Sequence, residues 1–366
     1  MAENKNKSLQ ALRGIAFIGI FLLHAGSSYF EWSMQGVSVF FVLSGFLLAI
    51  KYNADELDFS IRGSFRFSFS RIKKIYPLHI LTMLAVALLN FAALIVKYDM
   101  AVSKIHELIL KLVLNITLLQ SWYPNALINF SLNGVAWYLS TLCFLYFLFP
   151  ILQKKIEKIS PRKRIIVGFL ILIIQILASI PMANRIEGYD PIYVWFCQCF
   201  PIFRIGDLYW GIILGNYYKE NKSVEAKKWN INLIETIALV ATIAISLWIK
   251  NSETNMITAG IKNNTTLYIL MAVIWVYLFA NSKGIITKAL SNKVFIWLGD
   301  ISSYLFLIHY VVTSYFGSLQ SFIGEEFQGV KLVVLICIEF ILSVICSLIY
   351  RKLQIGKFIH KRELNS

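Results

Sequence analysis

The segment LRGIAFIGIFLLH, residues 12–24, sets Arg13 and His24 into an otherwise apolar run. An ionisable side chain inside a hydrophobic span is costly and marks a functional site by default. The chemistry this pair offers is general-base catalysis by a neutral histidine, with an arginine positioning a substrate. The two residues are eleven apart, about three helical turns plus 20°, so they face the same way roughly 16 Å apart along the axis. Each alone has a plainer reading, Arg13 as a snorkelling side chain that fixes orientation and His24 as a core histidine bonded to a backbone carbonyl. Sharing one face, they line a polar cavity running through a helix bundle.

Further polar groups recur inside or beside apolar runs. GVSVFFVLSGFLLAI carries Ser38, Ser44 and Gly45, which could equally serve close helix packing. The following stretch, RGSFRFSFSRIKKIYPLH, interleaves cations with aromatics. Its Arg71 and Lys74 suit either membrane orientation or a mouth that holds phosphates, and Pro77 suits the first turn of the next helix. Arg204 and Asp207, three apart in FRIGDLYWGIILG, either neutralise each other or both face the cavity. WLGDISSYLFLIHY adds His309 and Tyr304, and Glu339 stands alone in the last apolar run. No histidine is followed five residues later by aspartate, and there is no G-x-S-x-G elbow or P-loop. The five cysteines show no C-x-x-C spacing and read as small buried hydrophobes, giving neither a metal site nor a disulfide framework.

The elements that must position these groups are membrane helices. Of 366 residues, 58% are hydrophobic and 15% charged, against roughly 45–50% and 25% in soluble domains. The excess lies in runs long enough to span a bilayer, and the first run has no cleavage site, so it is not a signal peptide. Ten spans are expected, at about 9–29, 33–51, 77–97, 132–152, 165–182, 199–218, 231–249, 264–281, 294–316 and 331–350. The expected fold is an all-α, polytopic transmembrane helix bundle in one domain over residues 1–366. With both termini cytoplasmic, 26 of the 35 lysines and arginines fall in cytoplasmic segments, so the net charge of +15 reports orientation and not nucleic-acid binding. Segment 105–120 is apolar enough for an eleventh span, but that would place the 18 basic residues of the later loops outside. Its Glu107 and Lys111 suit an amphipathic helix on the outer surface.

Five segments in order resemble the acyltransferase-3 family of membrane acyltransferases: LRGIAFIGIFLLH with its R-x10-H spacing, GVSVFFVLSGFLLA, SRIKKIYPLH, FRIGDLYWGIILG and WLGDISSYLFLIHYVV. The resemblance spans nearly the whole chain. It implies transfer of an acyl group, most often acetyl from acetyl-CoA, to a hydroxyl of a cell-surface or secreted glycan, with no bound cofactor. It implies His24 as catalytic base and Arg13 as the essential arginine of the same motif, with Arg71, Lys74 and Ser44 toward acyl-CoA. Many members carry W-S-L-S-x-E-x-x-F-Y in the fourth span. Here the segment is WYLSTLCFLYFLFP, which keeps Trp137 and Ser140 but has Leu142 where the glutamate would be. The carboxylate that orients His24 is thereby left open, with Asp207 first and Glu339 second. Trp137, Ser140, Arg204, Tyr304 and His309 are expected to line the cavity. Some members add an SGNH-type domain, and this chain ends about 16 residues after its last span, so it is expected to act alone or with a separate glycan-assembly partner.

The layout suggests a two-sided reaction in the plasma membrane. Acyl-CoA would dock at the basic cytoplasmic mouth and reach His24 through its pantetheine arm, about 15–20 Å long, comparable with the Arg13–His24 rise. Neutral His24 would deprotonate the acceptor hydroxyl for attack on the thioester, an acyl-histidine being the alternative route. Two other classes fit the same residues: an exporter of a polysaccharide precursor, and a non-catalytic partner in a glycan-assembly complex.

Overall fold

The computed structural model describes residues 7–26, 33–98, 101–183, 191–221, 230–251, 266–281, 283–324 and 327–363. Among these residues the regular structure is helical throughout. The longer helices are α1 (Lys7–His24), α2 (Ser33–Lys51), α3 (Ile61–Ile72), α4 (Tyr76–Tyr98), α5 (Val102–Ile116) and α6 (Trp137–Glu157). They continue as α7 (Pro161–Ala183), α8 (Ile205–Glu220), α9 (Ile231–Asn251), α10 (Thr266–Asn281), α11 (Lys293–Ile323) and α12 (Val330–Glu363).

Six segments are long and apolar enough to cross a membrane: Tyr76–Val96, Gly134–Glu157, Pro161–Met182, Ile231–Trp248, Lys293–Ile323 and Val330–Gln354. Gln35–Lys51 and Tyr268–Asn281 are shorter apolar helices. The protein is therefore a multi-pass membrane protein. These eight segments coincide with eight of the ten expected spans. The other two are α1, whose average apolarity is lowered by Gln10, Arg13 and His24, and α8, which begins six residues later than expected. Ahead of α8 the chain makes a π turn over Trp195–Cys199 and a 3-10 turn over Pro201–Arg204, where Pro201 supplies no N–H to continue a helix. Helix α5 is amphipathic and is not among the segments that meet the spanning criterion. Its Glu107 accepts from Lys104 at 2.9 Å and Lys111 at 2.6 Å, and these two ammonium donors hold the carboxyl down at about 2.

Burial sorts the helices into an inner and an outer set. The apolar windows of α6 and α11 are 56% and 50% buried, whereas those of α7, α9 and α12 are 22% buried, so the latter turn most of their side chains toward lipid. Inside, α1 packs chiefly on α11 and α2 on α8. Both pairs depend on glycine, because the backbones approach closer than a β-carbon would allow: Gly299 lies on the Gln10 carbonyl and Gly211 on the Val42 carbonyl. The contacts advance together, Gln10 with Gly299 and His24 with His309, then Val42 with Gly211 and Ala49 with Gly215. Each pair is therefore parallel, as the expected alternation requires of spans one and nine and of spans two and six.

Helix α3 lies against α6. Its Ser60 cap accepts the Gly63 N–H at 3.0 Å, Ser68 Oγ donates to the Cys143 carbonyl at 2.6 Å, and Gly63, Ser64, Ser68 and Ile72 are buried. This packing aims Arg71, near the end of α3, at the bundle interior.

Candidate active site

Helices α1, α2, α6 and α11, with the end of α3, enclose a cavity of about 350 Å³. Arg13, Ser44, Lys51 and Arg71 line it, together with Tyr138 and Tyr146 of α6 and Ser302 and Ser303 of α11. The lining includes three cationic side chains and no carboxylate, a setting for an anion with an extended apolar part. From Phe40 to Lys51 the wall formed by α2 is about 16 Å deep at 1.5 Å per residue. Lys51 and Arg71 mark one end and Phe306 and Leu307 the other.

Arg71 is held by its neighbours and keeps capacity to bind. Its Nη2 donates to the Tyr52 hydroxyl, and its guanidinium carbon stands 5.1 Å from the centroids of both Tyr52 and Phe67. Its Nε is buried without a hydrogen-bond partner, a donor left for something not supplied by the described residues. Ser44 Oγ donates to the Phe40 carbonyl at 2.8 Å and lies within hydrogen-bonding reach of the Tyr138 and Tyr146 hydroxyls. Tyr138, Tyr146 and Asp300 lie within electrostatic range of the Arg13 guanidinium.

His24 is outside this lining, one end of the bundle away, and it pairs with His309. His24 Nδ1 is 2.8 Å from the Ile20 carbonyl and His309 Nδ1 is 2.9 Å from the Leu305 carbonyl. A carbonyl only accepts, so these bonds assign the proton to Nδ1 in both neutral rings and leave both Nε2 atoms with a lone pair. His309 Nε2 lies 3.5 Å from His24 Nδ1, where it shares the His24 N–H with the Ile20 carbonyl. His309 is fully buried and its ring packs against Phe17, Phe21 and Phe306, while His24 is half-buried and edge-on to Tyr310 at 5.4 Å. His24 Nε2 is thus the unspent basic atom of the pair. Phe306 connects the two regions, lining the cavity and touching the His309 ring, their centroids 6.2 Å apart.

Asp207 does not orient His24. It is fully buried and accepts from Arg204 Nη2 at 3.0 Å, which also donates to Ser38 Oγ at 3.0 Å while the guanidinium stacks on Phe41 at 4.8 Å. The pair ties α8 to α2 and does not line the cavity. The Ile20 carbonyl does the orienting. Glu339 is buried with Oε2 unpartnered among the described residues, and no bond links it to His24.

Lys74 is exposed and absent from the lining, and Lys51 stands at the mouth in its place. Tyr304 packs on Tyr350 at 5.6 Å, on the side of α11 that faces α12. Trp137 packs among Phe41, Phe130 and Tyr138. Ser140 Oγ donates at 2.6 Å to the carbonyl of Leu118, a leucine held at φ 55°, and so pins a strained turn to α6.

Sequence reasoning passed over Lys51, Tyr138, Tyr146, Ser302 and Ser303. The legible signal is the eight-residue spacing of Tyr138 and Tyr146 on one face of α6, with Leu142 between them. Leu142 lines the cavity, so the position where many relatives carry glutamate lies in the wall of this cavity.

A buried cationic cavity and, beyond Phe306, a histidine pair lie within one helical membrane bundle. A family model described as an acyltransferase domain matches residues 6–352, and the chain belongs to that family, the acyltransferase-3 family. It is 26% identical over 323 residues to a Staphylococcus aureus (strain COL) protein named "Putative O-acetyltransferase", covering 84% of this chain and 50% of that protein. It is 25% identical over 330 residues to the acyltransferase MdmB of Streptomyces mycarofaciens, covering 84% of this chain and 79% of the relative. An Acidianus two-tailed virus protein named "Putative acetyltransferase" is 24% identical over 334 residues, 88% of each chain. The chain spans about half the length of the Staphylococcus relatives. No solved structure matches it.

Proposed function

We propose that this chain is a membrane O-acyltransferase that moves an acyl group, acetyl in the first instance, from acyl-CoA in the cytoplasm to a hydroxyl of a cell-surface or secreted polysaccharide, working in a bacterial plasma membrane. The observation that carries the reading is the pairing of a cationic, carboxylate-free cavity with a histidine whose Nδ1 is pinned to a carbonyl. The family and the names of its relatives support transfer of an acyl group. The lysine and arginine distribution supports a cytoplasmic Lys51 and Arg71 end, with His24 toward the outside.

In this mechanism the phosphates of the coenzyme meet Lys51 and Arg71, whose unpartnered Nε supplies a charge-assisted donor. The pantetheine arm follows the cavity, on the order of 16 Å deep, past Arg13 and Ser44. Arg13, about three turns below His24, positions the donor and does not touch the reacting carbonyl. The acceptor hydroxyl approaches from the opposite side. His24 Nε2 takes its proton as the oxygen attacks the thioester carbonyl. Collapse of the tetrahedral intermediate breaks the C–S bond, and the coenzyme leaves as thiolate, which the His24 imidazolium protonates. The products are the O-ester and the free thiol, and His24 returns to its starting tautomer. His309 Nε2 accepts from His24 Nδ1–H and so steadies the imidazolium while it exists. The exporter reading has less behind it, because the family and the names of the relatives describe group transfer and not transport.

The test is sidedness. Radiolabelled acetyl-CoA supplied to inside-out vesicles should label glycan, whereas the same donor outside sealed right-side-out vesicles should not. Equal labelling from both sides would overturn the two-sided mechanism.

A further inference from the structure

A second cavity, of about 270 Å³, lies on the opposite face of α1. Leu12, Ile15, Ala16 and Gly19 of α1 line it, whereas Arg13 lines the first cavity, so the two are separated by α1 itself. The remaining walls come from α2, α9, α10 and Leu290, and they carry no charged side chain. Along α10 the lining runs from Tyr268 to Phe279, about 16 Å at 1.5 Å per residue. The cavity is therefore long, narrow and apolar, the shape of one hydrocarbon chain and a poor site for water.

Its few polar groups bond to the protein. The Gln35 Nε2 donates to Ser246 Oγ at 3.0 Å and the Trp275 Nε1 to Thr242 Oγ1 at 3.0 Å. Gln35 and Tyr268 mark the end nearer to His24, and Leu290 and Phe279 the other. Leu239 and Thr242 place α9 between the cavity and the bilayer, and the opposite face of α9 exposes Leu233, Ile237, Val240 and Leu247. The cavity is one helix away from lipid. Gly36 packs on the Ala16 carbonyl and Ile20, and His24 lies one turn beyond Ile20. Gly19 is five residues before His24, a rise of about 8 Å. A chain filling this cavity with its polar end at Gln35 would have that end within about 8 Å of His24 along the axis of α1.

We infer that this cavity holds the hydrocarbon chain of a lipid whose sugar head carries the acceptor hydroxyl, so that the acceptor reaches His24 while still anchored in the membrane. The inference rests on the acyltransferase reading for its purpose, but the cavity can be tested separately. The charge-free lining explains why the donor, a polyanion, uses the other cavity. The donor then follows the face of α1 that carries Arg13 and His24, and the acceptor head crosses from the other face over the end of α1, which is His24 itself.

The experiment uses the full chain in nanodiscs and an alkyl glucoside carrying a diazirine midway along its chain, beside a phosphatidylglycerol with the diazirine at the same depth. After irradiation, peptide mass spectrometry locates the label. The expected result is glucoside label concentrated on Met271, Trp275 and Thr242. It should be lost when the cavity is filled by Ala272→Phe or, from another helix, Leu239→Phe, with coenzyme A binding retained as proof of folding. Label spread along Val240 and Leu247 and indifferent to both fillers would overturn the site. Equal labelling by phosphatidylglycerol would overturn the assignment to a glycolipid. Loss of acyl transfer from wild type with cavity labelling intact would refute the acyltransferase reading and leave the site standing, so the two failures are separable.

Discussion

Two buried polar pairs, Arg204–Asp207 and His24–His309, show how the same kind of intramembrane residue serves two ends. Arg204 and Asp207 are both 0% exposed and neutralise each other at 3.0 Å, with Ser38 taking another guanidinium donor. Their opposite charges offset each other and they fasten α2 to α8, although Arg204 Nε and Nη1 and Asp207 Oδ2 have no hydrogen-bond partner among the described residues. The histidines spend their Nδ1 protons on backbone carbonyls and keep their Nε2 lone pairs. One of those lone pairs faces the partner ring, and the other, on half-buried His24, faces nothing in its own helix. A buried pair whose charges cancel is architecture, and a pair with a basic lone pair on its half-buried side is available for chemistry.

Breaking the first pair should cost stability, and breaking the second should cost turnover. Asp207→Ala leaves the Arg204 charge buried and uncompensated, so a loss of about 3–5 kcal/mol is expected, seen as lowered thermal stability in detergent and reduced protein in the membrane. His24→Ala should leave the melting temperature near wild type. His309→Leu removes the second acceptor of the His24 Nδ1–H, leaving the Ile20 carbonyl, and should lower kcat with little change in the KM for acetyl-CoA. His309→Gln, which keeps an acceptor oxygen, should recover part of that loss. Equal loss of kcat in both variants would mean that His309 only packs.

The donor cavity sharpens the contrast, because its lining carries cations and no carboxylate. Lys51→Ala and Arg71→Ala each remove a charge-assisted contact worth roughly 1.5–3 kcal/mol, so each should raise the KM for acetyl-CoA by about tenfold or more with kcat largely kept. The smallest effect belongs to the exposed triad on α5. Glu107→Gln should change stability by no more than about 0.5 kcal/mol, since exposed ion pairs are screened. The Glu107 carboxyl is held down at about 2, below its ordinary range, so its contribution is complete above that range and fades as the pH falls toward 2. A melting-temperature series from pH 6 to pH 2 on wild type and Glu107→Gln should converge at the acid end.

Much of this arrangement was legible in the chain, and the rest was hidden for physical reasons. Apolar runs located the segments that became α4, α6, α7, α9, α11 and α12, because a spanning helix must be apolar throughout. Arg13, Ser44 and Arg71 were legible as cavity residues, since polar groups in apolar runs stand out. Tyr138 and Lys51 did not, because tyrosine and lysine near helix ends look like interfacial anchors, and mid-helix Tyr146 reads as one more aromatic in an apolar run. The late start of α8 follows from Pro201 and the π turn before it, a local irregularity with weak periodicity. The partner that orients His24 was sought among carboxylates. It is a backbone carbonyl, which every residue possesses and no sequence can advertise.

The central claim is that His24 Nε2 takes the acceptor proton. Its most direct test is acetyl transfer from radiolabelled acetyl-CoA in inside-out vesicles containing equal amounts of wild type or His24→Ala, with and without added imidazole. The account predicts that His24→Ala loses at least about 10²–10⁴-fold of the transfer rate, and that imidazole, filling the vacated space, restores part of it. Transfer by His24→Ala at a rate near wild type, with no response to imidazole, would contradict it.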